Sequence, residues 1–261
     1  MPSDGGQNVE VILVVALGAA VAGFVQGLSG FAFGMVAMSF WAWVLEPQLA
    51  AVLSVFGSLT GQVIAAFTVR REFHWKSLLP FIAGGLAGIP MGVAVMPHLN
   101  MDWFKFGLGC LLVLWCPTML LSAHLPRLTL GGGLLARCSD AIAGLIGGAM
   151  GGLGGFSGTV PTLWCTLRGF ERHVQRTVIQ NFNLSVLAVT MASYLATGLV
   201  KPAMWPSFAI VLPAVLVPVI FGTRVYKGVS DARFRQIVLS LLTCSGIAML
   251  AASVPRLFLA P

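Results

Sequence analysis

Ten apolar runs follow one another along the chain, most of them close to the length of about 20 residues that a helix needs to cross a bilayer. Hydrophobic residues make up 57% of the sequence and charged residues only 9%, whereas soluble domains carry about 25% charged residues. These features predict an all-α integral membrane protein whose main partner is the lipid bilayer. The runs cover residues 9–27, 31–45, 48–69, 77–97, 103–123, 132–151, 155–167, 175–199, 203–223 and 234–253.

The basic residues indicate which loops face the cytoplasm. With the N-terminus outside and each run reversing the side, 12 of the 15 basic residues fall on the cytoplasmic side, where such residues concentrate. The net charge of +7 then reflects membrane orientation, so we expect no nucleic-acid partner and predict a multi-pass protein of the cell (inner) membrane. The cytoplasmic set is Arg70, Arg71, Lys76, Arg127, Arg137, Arg168, Arg172, Arg176, Arg224, Lys227, Arg233 and Arg235, while Lys105, Lys201 and Arg256 remain outside.

The same charge distribution constrains residues 132–167. A single helix over this range would place the later basic loops on opposite sides, so two arms are needed there. They are either two crossings or a re-entrant hairpin that returns to its own side. The second arm, 155–167, is short for a full span, which favours a broken or re-entrant element.

An internal repeat links two glycine-rich stretches. A shift of 125 positions aligns GLSGF at 27–31 with GLGGF at 152–156, and Gly23 with Gly148. Further along the chain, a shift of 130 aligns Trp75 with Trp205, Ser77 with Ser207, Gly92 with Gly222, Phe104 with Phe234 and Lys105 with Arg235.

The repeat divides the chain into two membrane halves, 1–128 and 129–261, with five segments each. Because five is odd, the second half enters the membrane from the opposite side, which gives an inverted-topology repeat. This architecture is typical of alternating-access transporters whose substrate site lies near the bilayer midplane at discontinuous helices. We therefore expect the first pair of segments in each half to be broken or re-entrant at its glycine-rich motif.

A helix that restarts at such a break exposes unpaired N–H groups with a partial positive charge, which suit an oxyanion. Glycine allows the anion to approach the backbone closely. The alternative is that the glycines only permit close helix packing. The candidate substrate-binding residues are Gln26, Gly27, Ser29, Gly30 and Phe31 at the first motif, and Gly154, Gly155, Phe156, Ser157, Gly158 and Thr159 at the second.

A second polar cluster, Gln180, Asn181 and Asn183, lies inside the apolar run 175–199. Amides at membrane depth either line a cavity or form hydrogen bonds between helices, and we include these three as substrate-binding candidates. The corresponding region of the first half contains Ser54, Ser58, Thr60 and Gln62.

Charged residues are candidates for gating or coupling rather than for the binding pocket, where we expect no opposing cation. Asp140 lies three residues after Arg137, so a local helix pair would satisfy it, with gating or proton coupling as the alternative. Arg168, Arg172, His173 and Arg176 form a basic cytoplasmic mouth that could gather anions, although the positive-inside rule alone accounts for the arginines.

No motif indicates an enzyme, a metal site or a cofactor. The five cysteines show no C-x-x-C spacing and are expected to be packing residues. A nucleophile with its base, or a metal with His and carboxylate ligands, would be needed for intramembrane hydrolysis, and neither pattern is present in the sequence.

The paired motifs GLSGFAFG and GGLGGFSGTVP, with the basic loop after the second, resemble those of the TauE/SafE family, the sulfite exporter or toluene-sulfonate uptake permeases. The resemblance covers nearly the whole chain and implies about eight spans and a small sulfur-containing anion as substrate, such as sulfite, sulfoacetate or a related sulfonate. Gln26 and Ser29 stand where family members often continue glycine. A carboxylate carrier is the alternative. The resemblance does not determine the direction of transport, the coupling ion or the oligomeric state, and a homodimer is compatible with it.

Overall fold

The computed structural model describes residues 4–68, 74–122, 128, 133–225 and 231–259, and these form ten α-helices joined by short turns. Each helix overlaps one of the predicted apolar runs. The helices are α1 (Asp4–Ser29), α2 (Phe33–Trp41), α3 (Pro47–Thr68), α4 (Trp75–Val95), α5 (Met101–Leu120), α6 (Leu134–Gly154), α7 (Thr159–Leu167), α8 (Arg172–Ala196), α9 (Trp205–Val225) and α10 (Asp231–Val254).

Eight of these helices are long and apolar enough to cross a membrane, and no strand occurs within the described ranges. The prediction of an all-α, multi-pass membrane protein is confirmed. The two remaining helices, α2 and α7, have 9 residues each, roughly 14 Å, which is less than half of a bilayer core.

Each short helix folds back along the long helix before it. The indole N–H of Trp41 in α2 donates to the carbonyl of Val15 in α1 at 3.3 Å. In the same way, the indole N–H of Trp164 in α7 donates to the carboxylate of Asp140 in α6 at 2.7 Å. Both contacts join the end of the short helix to the first half of the long one.

Contacts between helices also fix their relative directions. Gln26 donates to the carbonyl of Ser58, and Gln62 donates to the carbonyl of Gly30, so α1 and α3 run parallel. Glycine contacts likewise align α4 with α6, and α1 with α9. The connections α3–α4, α5–α6, α7–α8 and α9–α10 therefore lie at one end of the molecule. Four basic residues assigned to these connections, Arg70, Arg71, Arg127 and Lys227, lie outside the described residues.

The closest helix pair is α4 with α6. A Cβ added to Gly84 or Gly88 of α4 would overlap the backbone carbonyls of Ala141 and Leu145 in α6. A Cβ added to Gly148 of α6 would in turn overlap the carbonyl of Gly85. Small residues let two membrane helices pack backbone to backbone, and this contact holds α6, and with it the α6–α7 hairpin, in place.

Candidate functional site

The α1–α2 turn (residues 30–32) begins at Gly30, whose φ of +87° is a left-handed conformation that glycine adopts without strain. The N–H of Gly30 still donates to the carbonyl of Gln26 at 2.7 Å, which closes α1. The hydroxyl oxygen of Ser29 then accepts the N–H groups of Phe31 and Ala32 at 3.4 and 3.2 Å. Ser29 is exposed, so its hydroxyl is accessible from outside the protein core.

The α6–α7 turn (residues 155–158) likewise begins at a left-handed glycine that ends the preceding helix. Gly155 has a φ of +79° and its N–H donates to the carbonyl of Gly151 at 2.9 Å. The hydroxyl of Thr159, the first residue of α7, donates to the carbonyl of Phe156 at 2.7 Å. Each turn therefore ends one helix at a left-handed glycine and starts a new helix within four residues.

The two turns, which are more than 100 residues apart in the sequence, lie against each other. A Cβ added to Gly158 would lie 2.8 Å from the Cβ of Phe31. A Cβ added to Gly34, in the first turn of α2, would lie 2.8 Å from the carbonyl oxygen of Gly155. The glycines at this junction thus allow the starts of α2 and α7 to approach more closely than any side chain would permit.

Helix α3 binds one carbonyl at the start of each turn. The amide of Gln62 donates to the carbonyl of Gly30 at 2.6 Å, and the hydroxyl of Ser54 donates to the carbonyl of Gly154 at 2.7 Å. These two side chains lie about two turns inside opposite ends of α3, which places both junctions roughly 10 Å from the ends of that helix.

Helix α8 brings the predicted amides to the same place. The hydroxyl of Ser157 donates to the side-chain oxygen of Asn183 at 2.8 Å. The amide nitrogen of Gln180 lies 3.3 Å from the position of a Cβ added to Gly30. Asn181, on the same helix, is also buried. Gln180 and Asn183 therefore join the first-half and second-half turns in one polar cluster.

Gln26 and Gly27 lie beside this cluster and have packing roles of their own. The amide of Gln26 donates to the carbonyl of Ser58 at 2.8 Å, while its oxygen Oε1 is buried without a hydrogen-bond partner. Gly61 leaves the space that this amide occupies. Gly27 packs against the backbone of Val219 in α9, as the close-packing alternative for the glycines predicts.

Two aromatic side chains that the sequence did not single out cover further carbonyls. The indole N–H of Trp115 in α5 donates to the carbonyl of Thr159 at 3.0 Å, and the hydroxyl of Tyr194 in α8 donates to the carbonyl of Gly152 at 2.6 Å. Phe31 packs edge-on against Trp115. A buried indole or phenol usually needs a hydrogen-bond partner, and this is the one signal that could have drawn attention to them.

Asp140 has a partner different from the expected Arg137, which is exposed. Its carboxylate accepts the indole N–H of Trp164 and lies 3.6 Å from a guanidinium nitrogen of Arg168. Asp140 is buried and Arg168 is largely buried, with side chains 6% and 12% exposed. The pair joins the start of α6 to the end of α7, a contact between elements that a three-residue spacing does not indicate.

Arg176 lies closer to the α1–α2 turn than its place in a basic loop predicts. It lies within α8, which starts at Arg172, and its Nη2 donates to the carbonyl of Gly27 at 3.5 Å, next to the α1–α2 turn. His173, one turn earlier, instead packs edge-on with His74 at a ring-centroid distance of 6.3 Å. Arg176 therefore lies beside the polar cluster, next to Gly27.

Comparison with known proteins gives the family. The family model described as "Sulfite exporter TauE/SafE" matches residues 15–249, which include every helix except the ends of α1 and α10. Neither the curated proteins nor the solved structures compared with this chain include a match. The family consists of membrane transporters and not of enzymes, in agreement with the sequence-based expectation. Because this match covers most of the 261 residues, including both glycine turns, the chain belongs to the TauE/SafE sulfite exporter family.

Proposed function

We propose that this membrane transporter carries a small sulfur-containing oxyanion, such as sulfite, sulfoacetate or a related sulfonate, by alternating access. The observation that supports it most directly is the contact between the two glycine turns, at Phe31 with Gly158 and at Gly34 with Gly155. This contact brings the starts of two short helices, α2 and α7, to one polar cluster inside the protein.

The chemistry of the cluster favours an anion. The first N–H groups of a helix have no partner inside it and carry partial positive charge, so the starts of α2 and α7 both attract negative oxygen. Four carbonyls at or next to the turns, those of Gly30, Gly154, Thr159 and Gly152, are bound by Gln62, Ser54, Trp115 and Tyr194, which reduces their repulsion of an anion. The candidate site comprises these helix starts with the hydroxyls and amides of Ser29, Ser157, Thr159, Gln180 and Asn183, beside Gln26 and Asn181.

Atomic contacts support an inverted repeat of 1–128 and 129–261. A Cβ added to Gly152 of α6 would lie 3.0 Å from the backbone nitrogen of Val93 in α4. Its counterpart 125 positions earlier, Gly27 of α1, would lie 2.9 Å from the backbone nitrogen of Thr223 in α9, the residue 130 positions after Val93. The shifts that align the two halves of the sequence thus also relate these helix contacts.

An inverted repeat provides a physical basis for alternating access. Two halves of opposite orientation can exchange conformations around a site at their interface, which then opens to one side at a time. In this arrangement the hairpins α1–α2 and α6–α7 are re-entrant elements that enter from opposite sides. The basic connections face the cytoplasm and the N-terminus lies outside the inner membrane. The Asp140–Arg168 pair and His173, which lie at the cytoplasmic side, are candidates for gating or coupling.

The proposal is tested by flux measurements in proteoliposomes that contain the purified full-length protein. We expect uptake of labelled sulfite or sulfoacetate in the wild type, and a decrease of about 10-fold or more in Ser157→Ala, because Asn183 then loses a buried donor. Ser240→Ala, at an exposed position of α10, is the matched control and should transport normally. Uptake of acetate without uptake of any sulfur anion would replace the proposed substrate by a carboxylate.

A further inference from the structure

We propose that Asp140 binds the proton that is coupled to anion transport, so that the protein moves a proton and its anion in the same direction. This inference rests on the proposed function, because it names the ion that drives transport through the same site. It starts from the carboxylate of Asp140 in α6, which accepts the indole N–H of Trp164 at 2.7 Å and pairs with Arg168 at the end of α7.

Asp140 lies deep enough in the helix bundle for its charge to be costly. It is the seventh residue of α6, roughly 9 Å inside the start of that helix, and it is buried. Acidic side chains at membrane depth are rare and commonly belong to proton pathways. Arg168 beside it is partly exposed, so water, and with it a proton, can reach the pair.

The first hairpin shows that holding a short helix in place does not need a charge. Val15, the residue 125 positions before Asp140, accepts the indole N–H of Trp41 through its backbone carbonyl at 3.3 Å. Helix α2, to which Trp41 belongs, contains no charged residue. A neutral carbonyl is therefore sufficient for this contact, and the carboxylate with its arginine in the second hairpin has a further role.

Protonation of Asp140 changes the ion pair more than the indole contact. The carbonyl oxygen of a protonated carboxyl still accepts the N–H of Trp164, but the group no longer carries a charge. Arg168 then loses its counter-charge, and its buried Nη1 has no hydrogen-bond partner among the described atoms. An uncompensated guanidinium that is largely buried is strongly unfavourable. The proton therefore binds favourably only when another negative charge takes the place of the carboxylate beside Arg168.

The transported anion can supply that charge, because a guanidinium forms charge-assisted hydrogen bonds with oxyanions. Arg168 directly follows α7, whose first residue, Thr159, lies at the polar cluster. An anion that moves between this end of the molecule and the cluster can therefore pair with Arg168. Proton and anion then favour each other's binding, and this reciprocity is the thermodynamic requirement for coupled transport.

The helices around α6 keep Asp140 ionised until an anion arrives. Helix α3 has no charged residue, and Arg137 of α6 is exposed. Gly84 of α4 lies against Ala141, so the start of α4 is roughly two turns beyond the level of Asp140. The titratable groups on the neighbouring elements are mostly basic and lie near the starts of α4 and α8, apart from buried Cys165 on α7; they are His74, Lys76, Glu171, Arg172, His173 and Arg176.

The test is accumulation driven by a pH gradient in proteoliposomes that contain the purified full-length protein. Labelled sulfoacetate is present at equal concentrations inside and outside, the membrane potential is held at zero with potassium and valinomycin, and the outside is one pH unit more acidic. We expect the wild type to concentrate sulfoacetate about 10-fold inside, because one pH unit per coupled proton corresponds to about 1.4 kcal/mol. The sulfonate stays ionised, so the probe does not cross the lipid as a neutral acid.

Asp140→Asn should retain exchange of labelled for unlabelled sulfoacetate without a gradient and lose the accumulation, because its carboxamide accepts the indole N–H but binds no proton. If this variant does not fold, Asp140→Asn with Arg168→Gln leaves no lone charge and should likewise exchange without accumulating. Asp102→Asn is the matched control, because it removes the same charge from a more exposed pair of the same 3.6 Å separation, and it should accumulate like the wild type.

A wild type that exchanges sulfoacetate without accumulating it overturns this inference and leaves the proposed function intact. Accumulation by Asp140→Asn equal to that of the wild type also overturns it, since a purely structural ion pair would lower the unfolding temperature and leave the coupling unchanged. If the wild type neither exchanges nor accumulates sulfoacetate, the proposed substrate is wrong, and infrared spectra decide the role of Asp140. A protonated-carboxyl band that appears on acidification in the wild type but not in Asp140→Asn supports proton binding, and identical spectra overturn it.

Discussion

Gly155 shows how a single residue determines the geometry of the candidate site. Its φ of +79° ends α6, and its missing side chain leaves room for Ser54, whose hydroxyl would lie 3.2 Å from an added Cβ. That hydroxyl binds the carbonyl of Gly154. Conformation and space at one glycine thus position both the α6–α7 turn and its support on α3.

Gly155→Ala is expected to impair transport beyond its effect on stability. The left-handed conformation costs an alanine about 1–2 kcal/mol, and the new Cβ also displaces the Ser54 contact, so flux should fall by about 10-fold or more at equal amounts of folded protein. Gly198→Ala is the matched control, because Gly198 has a φ of +71° but no atom within 4 Å of an added Cβ. Similar flux in the two variants, measured with labelled sulfite and normalised to folded protein, would contradict this prediction.

At the scale of elements, the pairs α4–α6 and α1–α9 differ in how closely they pack. A Cβ on Gly148 overlaps the carbonyl of Gly85, whereas a Cβ on its counterpart Gly23 would lie 3.2 Å from the carbonyl of Val215. The first contact has no free space, and the second needs only a small shift. The α4–α6 pair therefore tolerates less change than its counterpart.

Gly148→Ala should destabilise the protein by about 3 kcal/mol and Gly23→Ala by about 1 kcal/mol, since overpacking a helix contact costs more where backbone meets backbone. Thermal or denaturant unfolding in detergent measures the difference. Gly107→Ala, where no atom lies within 4 Å of the added Cβ, controls for helix propensity and should be neutral or slightly stabilising. Equal losses of unfolding free energy in Gly148→Ala and Gly23→Ala would contradict this prediction and show that α4–α6 and α1–α9 pack equally closely.

The ion pair between Asp140 and Arg168 holds the α6–α7 hairpin, and its burial determines how much its loss lowers the free energy of unfolding. Asp140→Asn retains the shape of the side chain but leaves the buried charge of Arg168 uncompensated, so we expect a loss of about 3 kcal/mol in unfolding free energy. The double variant Asp140→Asn with Arg168→Gln should recover most of it, because no lone charge then remains. Asp102→Asn is the control: its pair with Arg256 has the same 3.6 Å separation but is exposed, and its loss should be below about 1 kcal/mol.

At the scale of the whole molecule, the sequence predicts well which segments form helices. It predicts poorly which side chains contact one another between those helices. Eight of the ten apolar runs overlap helices long enough to span, because bilayer thickness sets their length, and all ten are helical because a helix pairs the backbone groups within the segment. The glycine motifs also coincide with the ends of α1 and α6, since a left-handed glycine is a frequent way to end a helix.

The partners of individual side chains depend on how helices pack, which hydropathy along the chain does not encode. Asp140 was expected to pair with Arg137, its neighbour on the helix, but the fold brings Arg168 from the end of α7 to it. Arg176 was assigned to a loop, yet α8 begins at Arg172 and directs it to the α1–α2 turn. In the first case a tertiary contact replaced the local one that spacing suggests, and in the second the helix starts earlier than the apolar run indicates.

The orientation of the whole molecule is a prediction from the end at which the basic connections lie. Lys76 and Arg172 are exposed near the starts of α4 and α8, while Lys201 is exposed at the opposite end. Single cysteines at these three positions, in a variant with the five native cysteines replaced, should react differently with a membrane-impermeant thiol reagent in intact bacterial cells. We expect Lys201→Cys to be labelled in intact cells, and Lys76→Cys and Arg172→Cys only after the membrane is opened, because basic connections are retained in the cytoplasm. Labelling of Lys76→Cys or Arg172→Cys in sealed cells would reverse the orientation, and the α1–α2 turn with Arg176 would then be the part of the site nearer to the outside.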